Sequence, residues 1–158
     1  EEYVALTSSI GIGKNFERKI ANMLHDELGL KFHRDLEQYR TKDHGDLLCE
    51  VDFPFSIECK KRSKGTTYAS EWYEQSRAAA QDQGKIPCVI YQLNRSPIRV
   101  VIDLNVIIET FGGHTIHHVN LVELTFETFC MIAREMLQPN PMSDKNSVQE
   151  PTNSEYRL

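Results

Sequence analysis

The sequence predicts an α/β domain, and three observations lead there. Apolar residues recur at helical spacing near the N-terminus, an eight-residue run alternates with period two, and two β-branched runs follow on either side of a turn cluster. Phe16, Ile20, Leu24 and Leu28, with Met23 beside them, form one stripe of an amphipathic helix over 15–28, with Asn15 as N-cap and Gly29 as C-cap. Glu17 lies about 100° round from Phe16, in line with Ala21, Leu24 and Leu28, which sets it on the edge of the buried face.

A polar stretch, 31–44, holds room for a short strand near Phe32. Strands are expected over 46–49 and 53–60, joined by a hairpin turn at Val51–Asp52. In the second, Phe53, Phe55, Ile57 and Cys59 share one face, while Pro54, Ser56, Glu58 and Lys60 take the other. A basic loop, Lys60 to Gly65, leads to a helix over 71–83, with Ser70 as cap, Glu71 and Glu74 in the first turn and Gly84 at its end. Residues 86–91 and 98–104 read as a hairpin around Asn94-Arg95-Ser96-Pro97. A short helix to about Phe111, a strand at 116–122 and a helix over 126–137 capped by Thr125 complete the pattern. Three of the six prolines fall in the last 21 residues, so 138–158 is expected to be a disordered tail.

With 158 residues, 40% of them hydrophobic and 26% charged, the composition is that of an ordinary globular protein and excludes collagen-like, low-complexity and wholly disordered chains. No apolar run approaches the roughly 18 residues of a membrane span, and Glu1-Glu2-Tyr3 lacks the basic start of a signal peptide, so a cytoplasmic location without membrane association is expected. Cys49, Cys59, Cys88 and Cys130 show no CxxC spacing and have apolar neighbours, as buried reduced thiols do. The net charge of −5 is unevenly spread: residues 1–100 hold 15 Lys/Arg against 15 Asp/Glu, and the remainder 3 against 8. The overall charge therefore says little against a nucleic-acid partner.

The chemistry concentrates in Gly45-Asp46, eleven residues, then Glu58-Cys59-Lys60. Period two puts Glu58 and Lys60 on one strand face, and a neighbouring strand beginning at Asp46 brings a second carboxylate alongside. Two carboxylates 4 Å apart repel by about 4 kcal/mol at an effective dielectric of 20. A hard divalent cation relieves that repulsion, and Lys60 then stands where it can orient or deprotonate a water. Glu-x-Lys alone is a common solvated strand face; its apolar strand and the Gly-Asp at hairpin distance give it weight. Gly11-Ile12-Gly13-Lys14 lacks the Ser/Thr and first glycine of a phosphate loop, so no nucleotide cofactor is expected. His114, His117 and His118 read as surface histidines, and Trp72 as packing.

Glu17 in a first helix, Gly45-Asp46, Glu58-Cys59-Lys60 and then Gln75 in a helix resemble the PD-(D/E)xK nuclease superfamily, and within it the Holliday junction resolvases of archaea and related small phage nucleases. The stretches 14–21, 55–61, 72–75 and 84–87 carry the likeness, which spans about 11–104. The resemblance implies a restriction-endonuclease-like fold, a mixed central β-sheet flanked by helices, in a single nuclease domain over 1–137 whose part from 105 is an addition. It implies that Asp46, Glu58 and the Cys59 carbonyl hold Mg²⁺, with Mn²⁺ as a substitute and one or two ions per site, and that Glu17 completes the set. Lys60 would handle the nucleophilic water and Gln75 support the site. Gly45 stands where the superfamily's name has proline. Lys61, Arg62 and Lys64 are the first candidates for DNA phosphate contacts, followed by Lys14, Arg18, Arg34, Arg40 and Lys42. The expected activity is metal-dependent endonucleolytic cleavage of DNA, most closely the resolution of four-way junctions by a homodimer; a less selective repair, replication or restriction-type nuclease and a silent DNA-binding module are the alternatives.

Overall fold

The computed structural model describes residues 2–36 and 45–138, with side chains from residue 11 onward. Arg40, Lys42 and the expected tail from 139 lie outside the described residues.

The alternating strand sets the centre of the fold. In β3 (Phe55–Arg62), Phe55, Ile57 and Cys59 join one core cluster, whereas Ser56, Glu58 and Lys60 face the other way. β3 pairs antiparallel with β2 (Leu47–Cys49), which pairs antiparallel with β1 (Phe32–Arg34) at the sheet edge. On its other side β3 runs parallel to β4 (Ile86–Leu93), the register placing Glu58 opposite Val89 and Lys60 opposite Tyr91. β5 (Arg99–Asp103) and β6 (Leu121–Thr125) continue antiparallel, giving a six-stranded mixed sheet in the order β1-β2-β3-β4-β5-β6. The fold class is therefore α/β with a mixed central sheet flanked by helices, as expected.

A parallel pair needs a crossover, and the helix α2 (Glu71–Gln83) supplies it. Its Trp72 and Tyr73 pack with Val89, Tyr91, Leu93 and Val101 on one face of the sheet. The helix α1 (Glu2–Leu28) covers the other face, burying Phe16, Ile20 and Leu24 against Ile57, Ile90 and Phe129 of the last helix, α4 (Phe126–Leu137). The short helix α3 (Leu104–Thr110) bridges β5 and the loop to β6. β4 therefore presents an apolar face to each helix layer, Cys88 and Ile90 alternating with Val89 and Tyr91 between the two clusters, whereas β3 is apolar only toward α1.

Three boundaries differ from expectation. The first helix begins at Glu2 and not at 15, so Asn15 is an interior residue. Gly11 and Gly13 cost a helix about 1 kcal/mol each without forbidding its backbone angles. Ser70 does not cap α2: its backbone is already helical and its side chain makes no cap bond, while the Trp72 N–H donates to the Ala69 carbonyl. The last strand lies at 121–125 rather than 116–122, because Asn105 pins the preceding loop by bonding the backbone of Ile116 and His118. Gly84 does close α2, in the left-handed conformation, and Thr125 caps α4 by accepting from the Thr128 N–H at 3.1 Å. All four cysteines are free; Cys59, Cys88 and Cys130 are buried and Cys49 is half-buried. Among the described residues no helix is long and apolar enough to cross a membrane.

Candidate active site

The turn that leads into β2 is held against β3 by a glycine. A Cβ at Gly45 would lie 2.7 Å from the Ile57 carbonyl oxygen and 3.0 Å from the Ile57 nitrogen, inside contact distance of backbone that cannot move aside. Without one, the Asp46 N–H donates to the Ile57 carbonyl at 2.8 Å, and the Asp46 carbonyl accepts from the Asp35 N–H at 3.0 Å. The Asp46 side chain is thereby turned under β3, where Oδ2 accepts the Cys59 N–H at 2.6 Å. Asp46 is only 4% exposed.

That position is electrostatically costly. Burial first, then the Glu58 carboxylate, push the Asp46 carboxyl up from 3.8 to about 7; the Cys59 amide and Lys60 oppose the rise, and Glu17 adds to it. Glu58 and Lys60, two apart on β3, share the face covered by α2 and form an ion pair at 2.8 Å, with both side chains largely covered. On the opposite side, Glu17 of α1 meets Arg34 of β1 at 2.5 Å, each about 13% exposed. The structure therefore brings Glu17, Asp46, Glu58 and Lys60 into one electrostatic neighbourhood spanning α1, β2 and β3. Cys59 contributes its amide; its thiol is driven well above its usual range, by burial before the neighbouring carboxylates, and stays protonated.

The other expected residues separate into groups. Gln75 is exposed on α2, and its buried neighbour Ser76 is the polar residue that ties α2 to the sheet, donating to the Cys88 carbonyl at 3.1 Å and accepting the Cys88 N–H at 2.9 Å. Lys61 and Arg62 continue β3, Lys61 lying 5.7 Å from the Phe16 ring and Arg62 4.7 Å from the Trp72 ring. With Ser63, Lys64 and Ile12 they line an open groove of about 320 Å³. Lys14 and Arg18 lie on α1, Arg18 exposed. Arg34 is engaged with Glu17. The burial of three polar residues, Asp35, Ser56 and Ser76, gave no sequence signal. Each is a small polar residue whose role depends on which strand or helix lies beside it.

Comparison with known proteins decides the family. Residues 10–148 match the family model described as "Phage putative PDDEXK endonuclease". The chain belongs to that family. No curated protein sequence matches it. Among solved structures, it is similar to Hjc, a Holliday junction resolvase from the archaeal hyperthermophile Archaeoglobus fulgidus, at 21% identity over 54% of this chain and 72% of that one, with a TM-score of 0.43.

The donor chemistry of this family member's site suits a hard divalent cation, because it is made of carboxylate and carbonyl oxygens, with Asp46 beside Glu58 and Glu17. Asp46, Glu58 and the Cys59 carbonyl, with Glu17, are the residues that would hold it. Among the described residues, no three acids, histidines or cysteines already converge at ligand spacing. Glu17 faces Arg34 and Glu58 faces Lys60, so ion binding requires these carboxylates to exchange an ammonium or guanidinium for the metal.

Proposed function

We propose that the protein is a metal-dependent endonuclease that hydrolyses DNA phosphodiester bonds, using Mg²⁺ or Mn²⁺, and that its preferred substrate is a four-way junction. The observation that carries the catalytic reading is the buried Asp46, raised to about 7 by burial and Glu58, one residue pair away from the Glu58–Lys60 couple. A set of acids kept under mutual repulsion has no structural purpose that an amide or apolar residue would not serve better. It does have a purpose as a cation site. When bound, the cation supplies a nucleophilic water of lowered pKa and stabilises the charge of the leaving oxygen.

The chain's own groups would do the rest. Asp46 is oriented by the Cys59 N–H, which donates to its Oδ2. Lys60, released from Glu58, can orient the attacking water or neutralise charge developing on the phosphate. Lys61 and Arg62, at the end of β3, and Lys64 just beyond it would hold the phosphates flanking the cut. Gln75 and Lys14 are assigned supporting and phosphate-contact roles on the family resemblance alone. A junction has approximate two-fold symmetry, so a homodimer acting in the host cytoplasm is the matching assembly.

The test is cleavage of an end-labelled four-way junction beside a linear duplex of the same sequence, in Mg²⁺ or in EDTA, with wild type and Asp46→Asn. Paired symmetric nicks on the junction, absent in EDTA and in the variant, support the proposal. Equal cutting of both substrates makes the protein a less selective nuclease. Binding without cleavage in Mg²⁺ and Mn²⁺ makes it a DNA-binding module.

A further inference from the structure

We propose that α1 is flanked by two separate phosphate-binding grooves, and that the one along its β1 side, lined by Arg18, Asn22, Lys31 and His33, holds a second stretch of DNA backbone. The inference rests on the nuclease reading above and extends it to how substrate is held away from the acids. The first groove, on the β3 side, uses Ile12, Asn15, Phe16 and Lys19 of α1 against Lys61 and Ser63. On the other side, two adjoining cavities of about 350 and 330 Å³ share Asn22, Phe32 and His33. They extend the opening from Arg34, at the edge of the acid site, past Arg18 to Lys31 and His25.

Helix geometry shows that these are distinct tracks. Residues 12, 15, 16 and 19 form one stripe of α1, and 18, 21, 22 and 25 form another, about 120° round and about 9 Å further along the axis. That 120° is measured across the solvent side of the helix; the buried residues Phe16, Ile20 and Leu24 lie in the wider arc on the other side, facing the sheet, so a groove runs to either side of the helix. The β1-side groove has the right chemistry for a polyanion. Arg18, Lys31 and His33 are exposed, and Asn22 and the Arg34 guanidinium add donors. Among the described residues the single acid lining it, Glu50, lies 4.0 Å from Lys31 in a solvent-exposed pair that water and salt largely screen. Among the described residues Arg18 meets no carboxylate within ion-pair distance. The occupant this favours is a duplex arm leaving the cleavage site on the β1 side while the other arm or strand follows Lys61–Lys64.

The experiment measures binding alone, by fluorescence anisotropy in EDTA, of a labelled 30-base-pair duplex and a labelled four-way junction over a range of salt. The proteins are wild type, Arg18→Glu/Lys31→Glu and, for the first groove, Lys61→Ala/Lys64→Ala. Both altered residues of the β1 side are exposed, and an unchanged melting temperature checks the fold. The proposal expects the charge reversal to weaken junction binding at least tenfold at 0.1 M salt and to flatten the dependence of log K on log salt by about 2. It also expects the two double variants to act additively. Wild-type affinity and salt dependence in Arg18→Glu/Lys31→Glu overturn the second groove while leaving the nuclease reading intact. A wild-type protein that neither binds nor cuts DNA overturns both.

Discussion

Replacing Asp46 with asparagine keeps the shape of the side chain and an oxygen for the Cys59 N–H, and removes only the ionisable group. The carboxyl stands at about 7 in the fold against 3.8 outside it, so the folded state binds more protons than the unfolded chain between those values. Stability of the metal-free protein must therefore fall as pH rises through that window and level off above it. At about 1.4 kcal/mol per pKa unit, the raised Asp46 carboxyl costs the fold about 4 kcal/mol at pH 8, where it is ionised, and about 2 kcal/mol at pH 5, where the fold holds it protonated and the unfolded chain does not. Asp46→Asn escapes this cost. In urea unfolding with EDTA, the variant should gain on wild type by about 2–3 kcal/mol between pH 5 and pH 8, other titrating groups cancelling in the difference. Adding Mg²⁺ at pH 8 should then raise the midpoint of wild type and leave the variant unmoved. A stability difference that is flat with pH would refute the claim that Asp46 is held ionised against burial and its neighbours, and with it the main argument for a cation site.

Three further outcomes follow from the same geometry. Gly45→Ala forces a Cβ onto the Ile57 carbonyl and should lower stability by about 1–3 kcal/mol, with junction nicking reduced in proportion to the displacement of Asp46; a variant with wild-type unfolding and cleavage would show that the close approach is dispensable. Lys60→Met frees Glu58 of its ammonium partner, so Mg²⁺ affinity should rise while DNA affinity stays near wild type and the single-turnover cleavage rate falls by about 10²–10⁴; an unchanged rate would remove Lys60 from the chemistry. Arg34→Ala leaves Glu17 without its guanidinium partner, so the metal-free fold should melt lower while the apparent Mg²⁺ affinity rises, read by calorimetric titration; weaker Mg²⁺ binding would instead mean that Arg34 holds Glu17 in its ligating position.

What could be seen in advance follows from the range of each interaction. Periodicity is a property of neighbours along the chain, so the alternation of β3, the buried stripe of α1 and the helix over 126–137 were legible, and with them the position of Glu17 at the edge of the apolar face and of Glu58 beside Lys60. The Asp46 to Glu58 spacing was legible as a family resemblance, which the family match supports. The start of α1 was not, because glycine lowers helix propensity without forbidding the helix, and local signals at Asn15 outweighed what the backbone tolerates. Ser70 shows the same limit: a good capping residue caps only if the preceding chain arrives extended, and here it arrives helical.

The sequence by itself determined the elements, the faces they present, and which carboxylates could meet, since these depend on residue type and short-range spacing. Tertiary structure alone decided that Gly45 must lack a Cβ, that Asp46 Oδ2 accepts the Cys59 N–H, that Arg34 answers Glu17, and that α1 has a basic groove down each flank. Each of these depends on the approach of segments at least a dozen residues apart, and on how much water their packing leaves around a charge. Neither quantity is written in any local pattern of the chain.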